Sequence, residues 1–228
     1  MMVARGAGRP VRGPILPSMA TTGYRTLRGP VEASIEEQRS VFRCRLERVA
    51  DEPAARAVVD RARSEHWDAR HHCSAWVLGP DGALSRSNDD GEPSGTAGAP
   101  MLEALTRGGL SDVVAVVTRW FGGTLLGTGG LVRAYGDAVR AALEQAQPLD
   151  RELRRQVRLE VGHADAGRVE HDLRAHGVTV TGVDYASLVI LHLAVPAGEE
   201  AQVHDLVARV TGGRGELAVG GTEWVDLT

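Results

Sequence analysis

The chain has 228 residues, 43% hydrophobic and 25% charged, with a formal net charge of −4. That balance describes a globular protein with one large core or two small ones, and it rules out a chain-wide basic footprint, so any basic surface must be local. No apolar run approaches the roughly 20 residues of a membrane helix, and Cys44 and Cys73 are too few for a disulfide framework and suit reduced cytoplasmic thiols.

Residues 1–20 carry arginine and proline without apolar periodicity and read as a disordered leader, with Met19 as an alternative start. Arg25–Val49 reads as one or two strands. A helix follows, with Asp51 as its N-cap, Pro53 in the first turn, and Ala54, Ala57, Val58 and Ala62 at helical spacing. Cys73–Leu78 is a strand, Gly79–Gly82 a turn, Ala99–Thr106 a short helix and Val113–Thr118 a short buried strand. The next helix buries Leu131, Tyr135, Ala138, Val139 and Ala142. Pro148 and the charged residues through Arg155 read as a linker. From Gln156 the pattern is βαββαβ: a strand over Val157–Val161, a helix from Asp165 to a Gly177 cap, strands Val178–Tyr185 and Ser187–Ala194, a helix from Glu199, and a strand at Leu217–Val219. The predicted fold class is α+β. Its parts are the leader (1–20), an α/β sandwich (21–147), a linker (148–155) and a ferredoxin-like domain (156–228).

Two glycine-rich loops, Asp89–Pro100 and Phe121–Gly130, each feed a helix start. Glycine at that density implies unusual backbone conformation or close approach to a ligand, and amides at a helix start can hold an anion. In the second loop, Gly122, Gly123, Thr124, Gly127, Thr128, Gly129 and Gly130 form the candidate anion site, with Arg119 and Arg133 as charge partners. A tight strand-to-helix packing turn explains the same glycines equally well. Dinucleotide binding is disfavoured, because Val132 stands where G-x-G-x-x-G requires its last glycine. In the first loop, Asp89, Asp90, Gly91, Glu92 and Thr96 form a candidate contact surface. Three carboxylates there suit magnesium or a basic partner, but Asp-Gly turn chemistry and acidic residues ahead of a helix account for them without a metal. His71 and Cys73 fall on one strand face and His72 on the other, with too few partners for zinc or for a nucleophile. All 26 basic residues are arginine, which excludes lysine-based catalysis. No catalytic residue, metal or cofactor is assigned.

DDGEPSGTAGAPML (Asp89–Leu102) and VVTRWFGGTLLGTGGLVRAYGDA (Val116–Ala138) closely resemble the signature of the IMPACT/YigZ family, and ARHHCSAWV (Ala69–Val77) resembles that family's preceding strand. The resemblance continues loosely from Tyr24 to the C-terminus. It implies a cytoplasmic two-domain protein linked to translation control, with no established catalytic activity. Its first domain would resemble the penultimate domain of elongation factor G and its second that factor's last domain. The expected function is non-enzymatic binding of RNA, the ribosome or a translation factor, without membrane contact. Two competitors are a phosphate-ester or nucleotide-handling enzyme using the acidic loop with magnesium, and a small-molecule sensor built on the second domain.

Overall fold

The computed structural model describes residues 23–227; the leader and the Met19 start lie outside them. In chain order the elements are β1 (Gly23–Leu27), β2 (Val31–Glu37), β3 (Ser40–Arg48), α1 (Glu52–Glu65), β4 (His71–Leu78), β5 (Leu84–Asn88), α2 (Gly98–Gly108), β6 (Val113–Trp120) and α3 (Gly127–Gln145). They continue with β7 (Pro148–Val161), α4 (His163–Ala175), β8 (Thr179–Tyr185), β9 (Val189–Pro196), α5 (Glu200–Thr211) and β10 (Glu216–Asp226). The architecture is mixed α/β with two domains.

The first domain is an antiparallel sheet in the order β2-β3-β6-β4-β5. Central β6 is apolar on successive residues because both its faces are covered. Val113, Ala115 and Val117 pack with Met101, Leu105 and Tyr135 under α2 and α3, while Val114 and Val116 pack with Val58 and Trp76 under α1. The start of α1 follows its sequence signal: Asp51 accepts the Ala54 N–H at 2.8 Å and Pro53 occupies the first turn. Pairing of Val41 with Trp120 and of His71 with Arg119 brings the start of β3, the start of β4 and the end of β6 to one end of the sheet. Both glycine-rich loops emerge there.

The second domain has the order β10-β7-β9-β8, all antiparallel, which is the ferredoxin-like arrangement. Val157, Leu159, Leu191 and Leu193 pack with Val169, Leu173 and Leu206 beneath α4 and α5. The expected linker at 148–155 is instead the first half of β7, a continuous strand of 14 residues. Here β1, from the N-terminal side of the chain, pairs with Pro148–Glu152, while β10 pairs as far as Arg151 on the opposite edge. Arg151, in the middle of that charged stretch, is satisfied by this junction, which a second arginine also ties. Arg151 donates to Tyr24 Oη at 2.6 Å and to the Trp224 carbonyl at 2.9 Å, and Arg48 binds Asp226 in a two-pronged contact at 2.7 and 2.9 Å. The contact between the domains therefore lies at the end of the first sheet away from the loops.

Candidate functional site

The first glycine-rich loop is closed by its own carboxylates. Asp89 accepts the N–H groups of Gly95 (2.8 Å), Ala97 (3.0 Å) and Gly98 (2.8 Å), and so caps α2 from nine residues upstream. Burial opposes its ionisation, but these three backbone donors outweigh that and hold the carboxyl below the usual range. Asp90, at φ +43°, accepts Arg63 Nη2 at 2.7 Å and the His72 N–H at 2.7 Å. Gly91 completes the turn, and Thr96 is buried with its hydroxyl on the Pro93 carbonyl at 2.7 Å. Glu92 is buried and receives Arg119 Nη1 at 2.6 Å and Tyr135 Oη at 2.8 Å. The three acidic side chains thus point to three separate sets of protein donors and do not converge on a magnesium position. Among the described residues no cluster of three or more His, Cys, Asp or Glu is placed to hold a metal ion.

The second loop is open. Gly122 lies against the backbone of Arg39, where a Cβ would overlap the carbonyl, so this glycine is a packing requirement. Gly123 and Thr124 follow, with Thr124 Oγ1 accepting Arg39 Nη2 at 3.0 Å. Leu125 projects 86% exposed and Phe121 is 51% exposed. Helix α3 then begins at Gly127, φ +68°, without a side-chain cap and without an acidic residue in its first turn. Thr128 and Gly129 are exposed and Gly130 is buried.

Between the loops lies a cleft of about 420 Å³, walled by Pro93, Leu126, Leu131 and the start of α3, with Arg119 and His71 at its polar side. Arg119 is buried. Its guanidinium lies between the Phe42 and Phe121 rings at 5.3 and 5.8 Å, and its Nε has no hydrogen-bond partner among the described residues. His71 Nδ1 is 2.8 Å from the Asp90 carbonyl, which can only accept, so the proton is assigned to Nδ1; Nε2 faces Glu92 at 4.0 Å. Below, Cys73 Sγ donates to the Asp89 carbonyl at 3.0 Å, and burial pushes its thiol up to about 12.

Beside the cleft is a group of aromatic and arginine side chains. Trp67 stands 84% exposed where α1 gives way to β4. Its neighbour His66 meets the Trp120 ring edge-on at 5.2 Å, and Asp68 accepts Trp120 Nε1 at 2.8 Å. Arg43 lies over the other side of this corner, 5.6 Å from the Trp120 centroid. Phe121 and Leu125 lie on the cleft side instead, with Phe121 over the Arg119 guanidinium.

Residues 38–143 match the Impact N-terminal domain, and residues 159–214 match a domain of unknown function, DUF1949. IMPACT family member YvyE of Bacillus subtilis is 36% identical over 203 residues, covering 89% of this chain and 94% of that protein. The chain belongs to the IMPACT family. IMPACT family member YigZ of Escherichia coli is 41% identical over 175 residues, covering 76% of this chain and 86% of its own length. A solved structure titled "Crystal structure of an hypothetical protein" superposes with a TM-score of 0.61 at 37% identity, over 86% of this chain and 96% of that one. Among the described residues no helix is long and apolar enough to cross a membrane.

In this IMPACT-family chain the predicted residues divide sharply. Asp89, Asp90, Gly91, Glu92 and Thr96 are engaged in closing their own loop. Arg119, expected as a surface charge partner, is instead a buried residue paired with Glu92, because it faces α3 from the last turn of pleat in β6. Thr128, Gly129 and Arg133 are exposed at the start of α3 as expected. The sequence reading missed His71, Trp67, Trp120 and Leu125 as surface or cleft residues. The available signal was a tryptophan in the polar stretch SEHWDAR, where no apolar periodicity asks for one.

Proposed function

We propose that this IMPACT-family protein is a non-enzymatic, cytoplasmic RNA-binding protein that acts on the translation machinery through the loop end of its first domain. The observation that carries the reading is the exposed Trp67, between the His66 and Asp68 that hold the Trp120 ring, with Arg43 over that ring. Unpaired bases stack on exposed aromatic rings and arginine planes, and arginines supply the phosphate contacts. Arg39, Arg70 and Arg133 are exposed around the same end and provide the local positive charge that the net charge of −4 does not. The self-closed acidic loop gives no support to the magnesium-enzyme reading.

The test is anisotropy titration of a labelled single-stranded RNA over a range of salt. The logarithm of the affinity should fall linearly with the logarithm of the salt concentration. Trp67→Ala should weaken binding about tenfold, as expected for losing about 1–3 kcal/mol of base stacking. Its melting temperature should stay at the wild-type value, since so exposed a ring contributes little packing. Wild-type protein that fails to bind at low salt, or a Trp67→Ala protein that binds as well as wild type, would defeat the reading.

A further inference from the structure

We propose that the cleft between Pro93 and α3 is a binding site for a phosphomonoester nucleotide, with the phosphate at the N-terminus of α3 and the base along the apolar wall. Four observations converge on it. Helix α3 is 19 residues long and opens without an acidic residue in its first turn and, among the described residues, without a side-chain cap, so its first N–H groups are available to an anion. Arg119, with a side chain only 8% exposed, lines the same cleft, and its Nε is a buried donor without a partner among the described residues. Such a donor is costly to leave unmade, and its orientation is fixed by the Glu92 ion pair and by two flanking rings.

The charge of the cleft sets the sign of the ligand. Arg70 and Arg119 outnumber Glu92, whose carboxylate is already neutralised by Arg119 and bonded by Tyr135. The remaining polar group, His71, has its Nδ1 proton on a backbone carbonyl and presents Nε2 to Glu92. Size and lining set the rest. About 420 Å³ is within the range of small-molecule sites, and Leu126, Leu131, Pro93 and half-exposed Phe121 offer a planar base an apolar wall. The same chemistry exists on a free mononucleotide and on the phosphorylated 5′ end of an RNA. Only the second source rests on the RNA reading above.

The experiment uses the full chain with inorganic phosphate, each of the four ribonucleoside 5′-monophosphates, and one RNA oligonucleotide prepared with and without a 5′-phosphate. A mononucleotide should raise the melting temperature in a concentration-dependent way and move the amide resonances of Gly127, Thr128 and Gly129. Inorganic phosphate should bind at least about tenfold more weakly, since it lacks the base. Thr128→Glu places a competing carboxylate where the helix dipole favours it, so the variant should fold at least as stably as wild type and lose mononucleotide binding by about tenfold or more. With the mononucleotide bound, preference for the 5′-phosphorylated RNA assigns the RNA end as the source, and equal affinity of the two oligonucleotides assigns the free nucleotide; either supports the site. Absence of mononucleotide binding at millimolar concentration, amide shifts confined to other regions, or full binding by Thr128→Glu would overturn it. RNA binding that survives such a failure would leave the aromatic surface standing and remove only the cleft.

Discussion

The two glycine-rich loops share a composition, a position at the same end of the sheet and a helix directly after them, yet they end in opposite chemical states. In the first, Asp89 reaches forward and satisfies the amides at the start of α2, and Glu92 is drawn into the interior by Arg119 and Tyr135. In the second, no described residue plays the part of Asp89, so α3 starts uncapped beside exposed Leu125 and Phe121. Glycine density alone does not separate a structural loop from a binding loop. What separates them is whether the chain supplies its own acceptor for the helix amides.

This contrast can be tested most severely at Glu92. Glu92→Ala leaves Arg119 buried without its carboxylate and should destabilise the protein by about 3–5 kcal/mol in urea unfolding. A loss under about 1 kcal/mol would show that the first loop is not held from within. Asp89→Ala should cost about 1–2 kcal/mol, the scale of a lost helix cap. The pH dependence follows from the direction of its shift: the folded-state pKa lies below the unfolded value of about 3.9, so the contribution is present above that value and disappears as pH falls through the folded pKa. Wild type and Asp89→Ala should therefore converge in stability in acid, and a constant gap down to low pH would contradict the capping role.

The second loop should respond in the other direction. At Gly129 an added Cβ would meet only the Arg133 guanidinium, at an ordinary contact distance of 3.7 Å, and its φ is negative, so Gly129→Ala should raise stability by about 0.5–1 kcal/mol through helix propensity. A destabilised Gly129→Ala protein would mean that this start of α3 is packed more tightly than its geometry indicates. Smallest of all, Leu125→Ser should leave stability within about 0.5 kcal/mol of wild type, as expected for a side chain that touches little. A larger loss in thermal unfolding would place Leu125 in a packing role and make the two loops alike.

Local signals in the sequence carried much of the fold. Asp51 and Pro53 start α1, the unbroken apolar run of β6 is buried on both faces, and Gly177 lies just beyond α4 with φ +82°. Non-local pairing was not legible. Asp150–Arg155 has the composition of a linker, and only the arrival of β1, β10 and the partners of Arg151 makes a strand of it. The last strand is also longer than Leu217–Val219, because Gly220 and Gly221 interrupt its pattern at a bulge and pairing resumes at Thr222. At the site, the exposed start of α3 was legible and the burial of Arg119 was not. An arginine ending an apolar strand normally reaches water, and its inward course depends on Glu92, 27 residues earlier in the chain.

The pairing of β1 with β7 also governs the order in which the molecule can be assembled during synthesis. Arg25 faces Asp150 and Leu27 faces Pro148. By the time β6 and α3 have emerged, every strand of the first sheet is available, while β1 still lacks its neighbour. The earliest described strand must wait as an unpaired edge until the polypeptide has passed its midpoint, and edges of that kind invite pairing with another nascent chain. A gene cut at the apparent domain boundary would therefore divide the sheet, leaving β1 on one fragment and its template on the other.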